Sequence, residues 1–159
     1  MSFALDLEAF AQKTRVKLDL VVRKVVIDMT STIVQMTPVD TGHARSNYFW
    51  GVQRVTTIDN SVNPDDAKRA AGKMFTASFK ERQKFIKAVN SAGNGKESSN
   101  RAIAFATGLK AGGTVYLTNN LPYIMALEYG HSRQAPAGMA RITVAYFQKI
   151  VDKAVQGLQ

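Results

Sequence analysis

The chain of 159 residues begins with a long amphipathic pattern. Between residues 5 and 36, apolar side chains recur every three or four positions, which is the spacing of one helix face. The row consists of Leu7, Phe10, Leu18, Val21, Val25, Met29, Ile33 and Met36, with Thr14 filling one gap. Pro38 ends the pattern, because the residue before a proline is disfavoured in the helical conformation. We therefore predict a first helix over residues 5–36.

This helix is long for a chain of this size. A helix of about 32 residues measures about 48 Å, whereas a compact globule of this length is about 40 Å across. Either the helix breaks, or one end projects beyond its own core. A projecting apolar stripe requires a partner, and a second copy of the chain is the simplest one. The pattern leaves both outcomes open.

Shorter elements are predicted after the first helix. Alternating apolar residues indicate strands over 47–57 and 114–118. Pro64 and two following acids indicate a helix that reaches about residue 89, and a Gly/Ser/Asn-rich loop follows over 91–100. Further helices are predicted over 101–109, 121–129 and 136–155. The last of these has a predicted buried stripe of Met139, Ile142, Tyr146, Phe147, Ile150, Ala154 and Leu158.

These elements predict one α+β domain over residues 1–159. In it, a small and mainly antiparallel sheet packs against the long first helix and the last helix.

More than half of the net charge of +9 lies in residues 63–101, which contain nine basic and four acidic residues. Wound as a helix, five cations fall within about 60° of one another, opposite an apolar face. They are Arg69, Lys73, Lys80, Lys84 and Lys87. Such a stripe favours contact with an acidic surface, either DNA or an adjoining protein. A solvated face that serves solubility is the alternative.

The sequence offers no pattern for catalysis. The absence of cysteine removes disulfides, thiolate metal ligands and thiol nucleophiles. His43 and His131 are far apart and form no helical metal pair, and residues 93–97 lack the first glycine and the Ser/Thr of a phosphate-binding loop. We therefore expect no enzymatic activity, cofactor or metal. No stretch has the ~20 apolar residues of a membrane helix and no signal peptide is recognisable, so we expect a soluble protein without membrane contact.

Three motifs are similar to those of a known family. They are PVDTG at 38–42, VYLTNNLPY at 115–123 continuing through LEYGHS at 127–132, and QAPAGM at 134–139. In this order and spacing they resemble the minor tail, tail-completion or neck proteins of tailed bacteriophages. The resemblance covers about residues 1–57 and 100–155. Residues 63–99 are longer than in the family, which implies that they are a basic helical elaboration of the single domain.

The resemblance implies a structural virion protein at the tail or neck, assembled in the host cytoplasm. Its implied partners are further copies in a homo-oligomeric ring, with a hexamer favoured over a dodecamer, and the adjacent head–tail connector and tail proteins. Non-specific contact with packaged DNA is also implied. The alternative reading is a small basic nucleic-acid-binding protein.

The loops of these motifs supply the candidate contact residues. We expect polar and aromatic side chains there to lie at a subunit or partner contact, since loops on rigid scaffolds often carry binding. A purely intramolecular turn or core role is the alternative, which the motifs leave open. The candidates are Asp40, Asn119, Asn120, Tyr123, Glu128, Tyr129, His131 and Ser132.

Overall fold

The computed structural model describes residues 3–39, 42–60 and 95–157. Its elements are α1 (Phe3–Met36), β1 (Phe49–Gly51), α2 (Lys96–Gly108), β2 (Tyr116–Thr118), α3 (Ile124–Glu128), α4 (Ala140–Ala145) and α5 (Phe147–Gln156). A long first helix, a two-stranded antiparallel sheet and C-terminal helices confirm the predicted α+β class.

Helix α1 is unbroken over 34 residues, which corresponds to about 51 Å. Every residue from 10 to 18 is exposed to solvent. Among the described residues, hydrogen bonds from α1 to the rest of the molecule begin at Asp19, whose carboxylate accepts from the Ala111 amide at 2.7 Å. Arg23 follows, with its Nε donating to the carbonyl oxygen of Leu109 at 2.9 Å. Of the two outcomes that the length left open, the structure therefore has the projecting end.

The face of α1 that is most buried differs from the predicted one. It carries Val26, Thr30, Val34 and Thr37, and is rotated by about 100° from the row of Val21, Val25 and Met29. The two threonines tolerate burial because their hydroxyls donate to carbonyl oxygens one turn earlier, at 2.8 Å for Thr30 and 2.6 Å for Thr37. Of the predicted row, Ile33 is buried, Phe10 and Leu18 are exposed, and Val21, Val25 and Met29 are half-buried.

Two apolar clusters form the core around α1. One joins Ile33 and Val34 to Tyr48, Ala135 and Met139. The other joins Val26 to Ala102, Ala106 and Leu109, with α2 supplying the alanines. Small side chains at positions 102 and 106 allow α2 to pack closely against α1.

The sheet is shorter than predicted. Strands β1 and β2 pair only over Phe49–Gly51 and Tyr116–Thr118, with Trp50 opposite Leu117. Beyond Gly51 the chain leaves the ladder, because side-chain amides hold the following loop instead. Asn120 donates to the carbonyl oxygens of Val55 and Thr57 at 2.8 and 3.0 Å. The predicted strands 47–57 and 114–118 were therefore too long.

Three helix boundaries also differ from the prediction. Helix α2 begins at Lys96, inside the predicted loop 91–100, because Ser98 there bonds to the chain before β1. Helix α3 covers only Ile124–Glu128, not 121–129. The single helix predicted over 136–155 is two helices, α4 and α5, divided at Tyr146.

The division of the last helix changes which side chains it buries. Met139, Ile150 and Ala154 are buried as predicted, and Ile142 is partly buried. Tyr146 and Phe147 are exposed, because the break at Tyr146 takes them off the buried side. Leu158 and the helix predicted over 65–89 lie outside the described residues.

Candidate interaction surface

The two motif asparagines hold loops of their own molecule. The Asn119 side chain donates to the Ala44 carbonyl oxygen at 2.9 Å and accepts from the Leu121 amide at 3.3 Å. Asn120 holds the loop after β1, as described above. Both amides connect segments more than sixty positions apart, which is an intramolecular role for these two candidate contact residues.

Tyr123 contacts a buried histidine. Its hydroxyl lies 3.2 Å from Nδ1 of His43, and Nε2 of His43 lies 3.0 Å from the carbonyl oxygen of Asp59. A carbonyl oxygen only accepts, so Nε2 carries the proton in the neutral ring and Nδ1 accepts from Tyr123. The tyrosine ring remains partly exposed at the surface. Tyr123 therefore belongs both to this internal network and to the molecular surface.

Glu128 closes the start of α4 from the end of α3. One carboxylate oxygen accepts from the amides of Met139 and Ala140, each at 2.8 Å. The other accepts from the Arg141 amide at 3.0 Å and from Arg141 Nε at 3.2 Å. Partial burial alone would raise the pKa of Glu128, but these four hydrogen bonds outweigh it and lower the pKa below its usual value. This carboxylate therefore holds the end of α3 against the start of α4 within one molecule.

The remaining motif residues are near the surface. The Tyr129 ring is 71% exposed and lies 5.3 Å from the Arg141 guanidinium carbon. His131 is also exposed, whereas Ser132 is half-buried and accepts a hydrogen bond from the Gln134 amide at 3.2 Å. Tyr129 and His131 are therefore available for a contact, and Ser132 shapes the loop between α3 and α4.

Two groups of predicted contact residues lie outside the described residues. They are Asp40 and the basic stripe of Arg69, Lys73, Lys80, Lys84 and Lys87.

Arg101 lies at the centre of a polar cluster that was not predicted from the sequence. Its Nη1 donates to the Asp59 carboxylate at 2.7 Å, its Nη2 donates to the Ser46 carbonyl oxygen, and its guanidinium carbon lies 4.2 Å from the centre of the Phe49 ring. Asn47 completes the cluster by bonding both the amide and the carbonyl of Asp59. Arg101 thereby joins α2, β1 and the loop that follows β1. The partners are too far apart in sequence to form a local motif.

An open apolar groove of about 480 Å³ runs along α1. Val21, Val25 and Met29 of α1 contribute to it, together with Trp50 of β1 and Val151 of α5. Val22, Val26, Val115, Leu117 and Phe147 complete its lining. The ten described residues that line it are all apolar, so none of them offers a charged group or a nucleophile for chemistry. The half-buried part of the predicted α1 row therefore faces this groove.

A second hollow of about 360 Å³ adjoins the groove and shares Met29 and Leu117 with it. Its rim includes Met125 and Val144, which are 58% and 66% exposed. Tyr48 at its base is buried, which raises its pKa to about 12. Exposed apolar surface of this kind is typical of a protein contact surface, and methionine and aromatic residues are enriched at such surfaces.

The described residues contain neither a metal-binding cluster nor a membrane-spanning helix. Over 3–39, 42–60 and 95–157, no three or more acidic or histidine side chains are grouped to hold a metal ion. In the same ranges, no helix combines the length and the apolar character required to cross a membrane.

Comparisons of the chain with protein-family models, with curated proteins and with solved structures found no match.

Proposed function

We propose that the protein is a structural virion subunit that forms a ring and completes the tail, or joins head and tail, of a tailed bacteriophage. The three loop motifs suggest the family. The observation that carries the proposal is the N-terminal part of α1, where residues 10–18 are exposed on every side although they include Phe10, Val16 and Leu18. Apolar surface exposed in this way favours association with another protein.

The length of α1 keeps this exposed segment away from the core of its own helix. The helix is unbroken, so its first turns cannot fold back on the core that its later turns form. Among the described residues, these apolar side chains are exposed to water, and contact with another molecule would remove them from it. Assembly into a ring would bury them at each junction between neighbouring copies.

The polar residues of the motifs support an assembly role over a catalytic one. Asn119, Asn120 and Glu128 have their polar atoms bonded within the molecule. The groove along α1 is lined by apolar residues and the adjoining hollow mainly so. Stable protein interfaces are rich in apolar surface. An enzyme site, by contrast, requires polar groups directed at the substrate. The virion partners of the ring would be the neighbouring connector and tail proteins.

The decisive experiment measures the mass of the purified protein by light scattering, together with negative-stain electron microscopy. The proposal predicts one discrete oligomer with ring-shaped projections, and no binding to duplex DNA at moderate salt. A monomer that binds duplex DNA, with an affinity that falls steeply as salt rises, would contradict the ring and favour a nucleic-acid-binding protein.

A further inference from the structure

We propose that residues 10–18 of α1 in one copy bind in the apolar groove of the next copy. The groove is the one formed by Val21, Val25 and Met29 with Trp50 and Val151. The inference rests on the proposed function, because it assigns the surface that joins neighbouring subunits of the ring.

The contact must form between two copies. Phe10 and Val25 lie on the same unbroken helix, separated by fifteen positions, or about 22 Å along its axis. The projecting end therefore cannot reach the groove that its own helix lines. When the end of one copy occupies the groove of another, the first copy keeps a free groove and the second keeps a free end for a further neighbour. Such head-to-tail contacts close into a ring when the rotation between copies closes, and otherwise extend into a filament.

The projecting end has the chemistry that the groove accepts. Phe10, Thr14 and Leu18 lie on one side of α1, separated by one turn each. Phe10 is 67% exposed and Leu18 is also exposed. The Thr14 hydroxyl donates to the Phe10 carbonyl oxygen at 2.9 Å, so its polar group is already bonded and its methyl group can face an apolar surface. A groove of about 480 Å³ accommodates a few such side chains.

Charge at the edges of the two surfaces is complementary. Lys13 and Lys17 are exposed one turn apart, beside the row of Phe10 and Leu18. On α5, Asp152 lies about 100° around the helix from the groove residue Val151. It is exposed, and its carboxylate accepts a hydrogen bond at 2.9 Å from the neutral side-chain amide of Gln148. Lys149 and Lys153 lie about 160° from Val151, on the far side of α5.

The absence of cysteine from the wild-type chain makes a disulfide test clean. Three single variants, Phe10→Cys, Thr14→Cys and Leu18→Cys, are each mixed with the single variant Val151→Cys and oxidised mildly. We expect at least one mixture to form the mixed disulfide at about ten times the yield of its control, because only contacting residues approach within the ~4.4–6.8 Å between Cα atoms that a disulfide requires. The control mixes the same three variants with Ile103→Cys, an exposed position on α2.

Light scattering on every variant separates the inference from the function it rests on. If the variants form the oligomer and no mixture exceeds its control, the groove is not the binding site of α1, although the ring stands. If disulfides between two Leu18→Cys chains exceed the mixed product, the helix ends pair with each other and the inference is wrong. If the wild type is a monomer, the ring itself is overturned.

Discussion

Glu128 shows how one motif residue contributes to the fold. Its carboxylate ties the end of α3 to the start of α4 through three backbone amides and the Arg141 side chain. Four hydrogen bonds on one charged group are costly to lose, because the amides at the start of α4 would have no equivalent acceptor.

We predict that Glu128→Gln destabilises the protein by about 1–3 kcal/mol at neutral pH, the usual range for a hydrogen-bonded charged group. The folded protein lowers the pKa of Glu128, so an unfolded chain takes up its proton first as the pH falls. The stabilisation by ionised Glu128 is therefore complete at neutral pH. It is lost progressively as the pH falls from about 4.5 through the lower pKa of the folded protein. Denaturant unfolding of both proteins at a series of pH values measures the difference.

The matched control for this prediction is Glu97→Gln. The Glu97 carboxylate accepts a hydrogen bond from the Ser46 hydroxyl at 3.2 Å, a weaker attachment than the four bonds of Glu128, so its replacement should cost less. Equal stability of the Glu128→Gln variant and the wild type at neutral pH would contradict the stabilising role of the Glu128 hydrogen bonds.

At the residue scale, the sequence indicated which loops carry important side chains but not what they contact. Asn119, Asn120, Tyr123 and Glu128 stand out because they belong to recognisable motifs. His43 and Arg101 did not, because their partners Tyr123 and Asp59 lie 80 and 42 positions away. A pairing between distant residues leaves no periodic signal, so only the fold shows it.

At the scale of whole elements, the long first helix was the most predictable feature. Its apolar period and Pro38 fix its existence and its end at Met36. The buried face was predicted only in part: Ile33 of the predicted row is buried, but Thr30 and Thr37 were left out because hydropathy treats threonine as polar. Thr30 and Thr37 instead bond to their own helix and occupy the core. The break at Tyr146 was missed for a related reason, since an uninterrupted apolar period contains no signal for a turn.

The two ends of α1 should respond differently to a buried charge. Phe10→Asp should leave the folding of the monomer within about 0.5 kcal/mol of the wild type, as is usual for an exposed position, while abolishing the oligomer. Val25→Asp should impair both, because Val25 is half-buried beside the core and a charge there lacks a partner. Circular dichroism melting and light scattering, both at low protein concentration, measure folding and assembly separately.

The control for exposed apolar residues in general is Val52→Asp, at a 69% exposed position after β1. It should change neither property. Loss of assembly in the Val52 variant would show that any new negative charge disrupts the oligomer, and equal effects of the Phe10 and Val25 variants would contradict a projecting end.

The whole molecule combines apolar contact surfaces with a large positive charge. Each copy has a net charge of +9, so copies repel one another while their apolar surfaces attract. The molecule's two proposed kinds of partner therefore respond to salt in opposite directions. Salt screens the repulsion between like-charged copies, but it also weakens any attraction to DNA or to an acidic protein.

We predict that raising the salt concentration from 0.05 to 0.5 M strengthens self-assembly. The Debye length falls from about 14 Å to about 4 Å over this range, which removes most of the repulsion between copies but leaves the burial of Phe10 and the groove unaffected. The dissociation constant of the oligomer should fall about threefold or more, as measured by analytical ultracentrifugation. Binding of duplex DNA, followed by fluorescence anisotropy in the same buffers, should weaken instead. Dissociation of the oligomer as salt rises would show that ion pairs hold it together, and would refute the apolar contact between α1 and the groove.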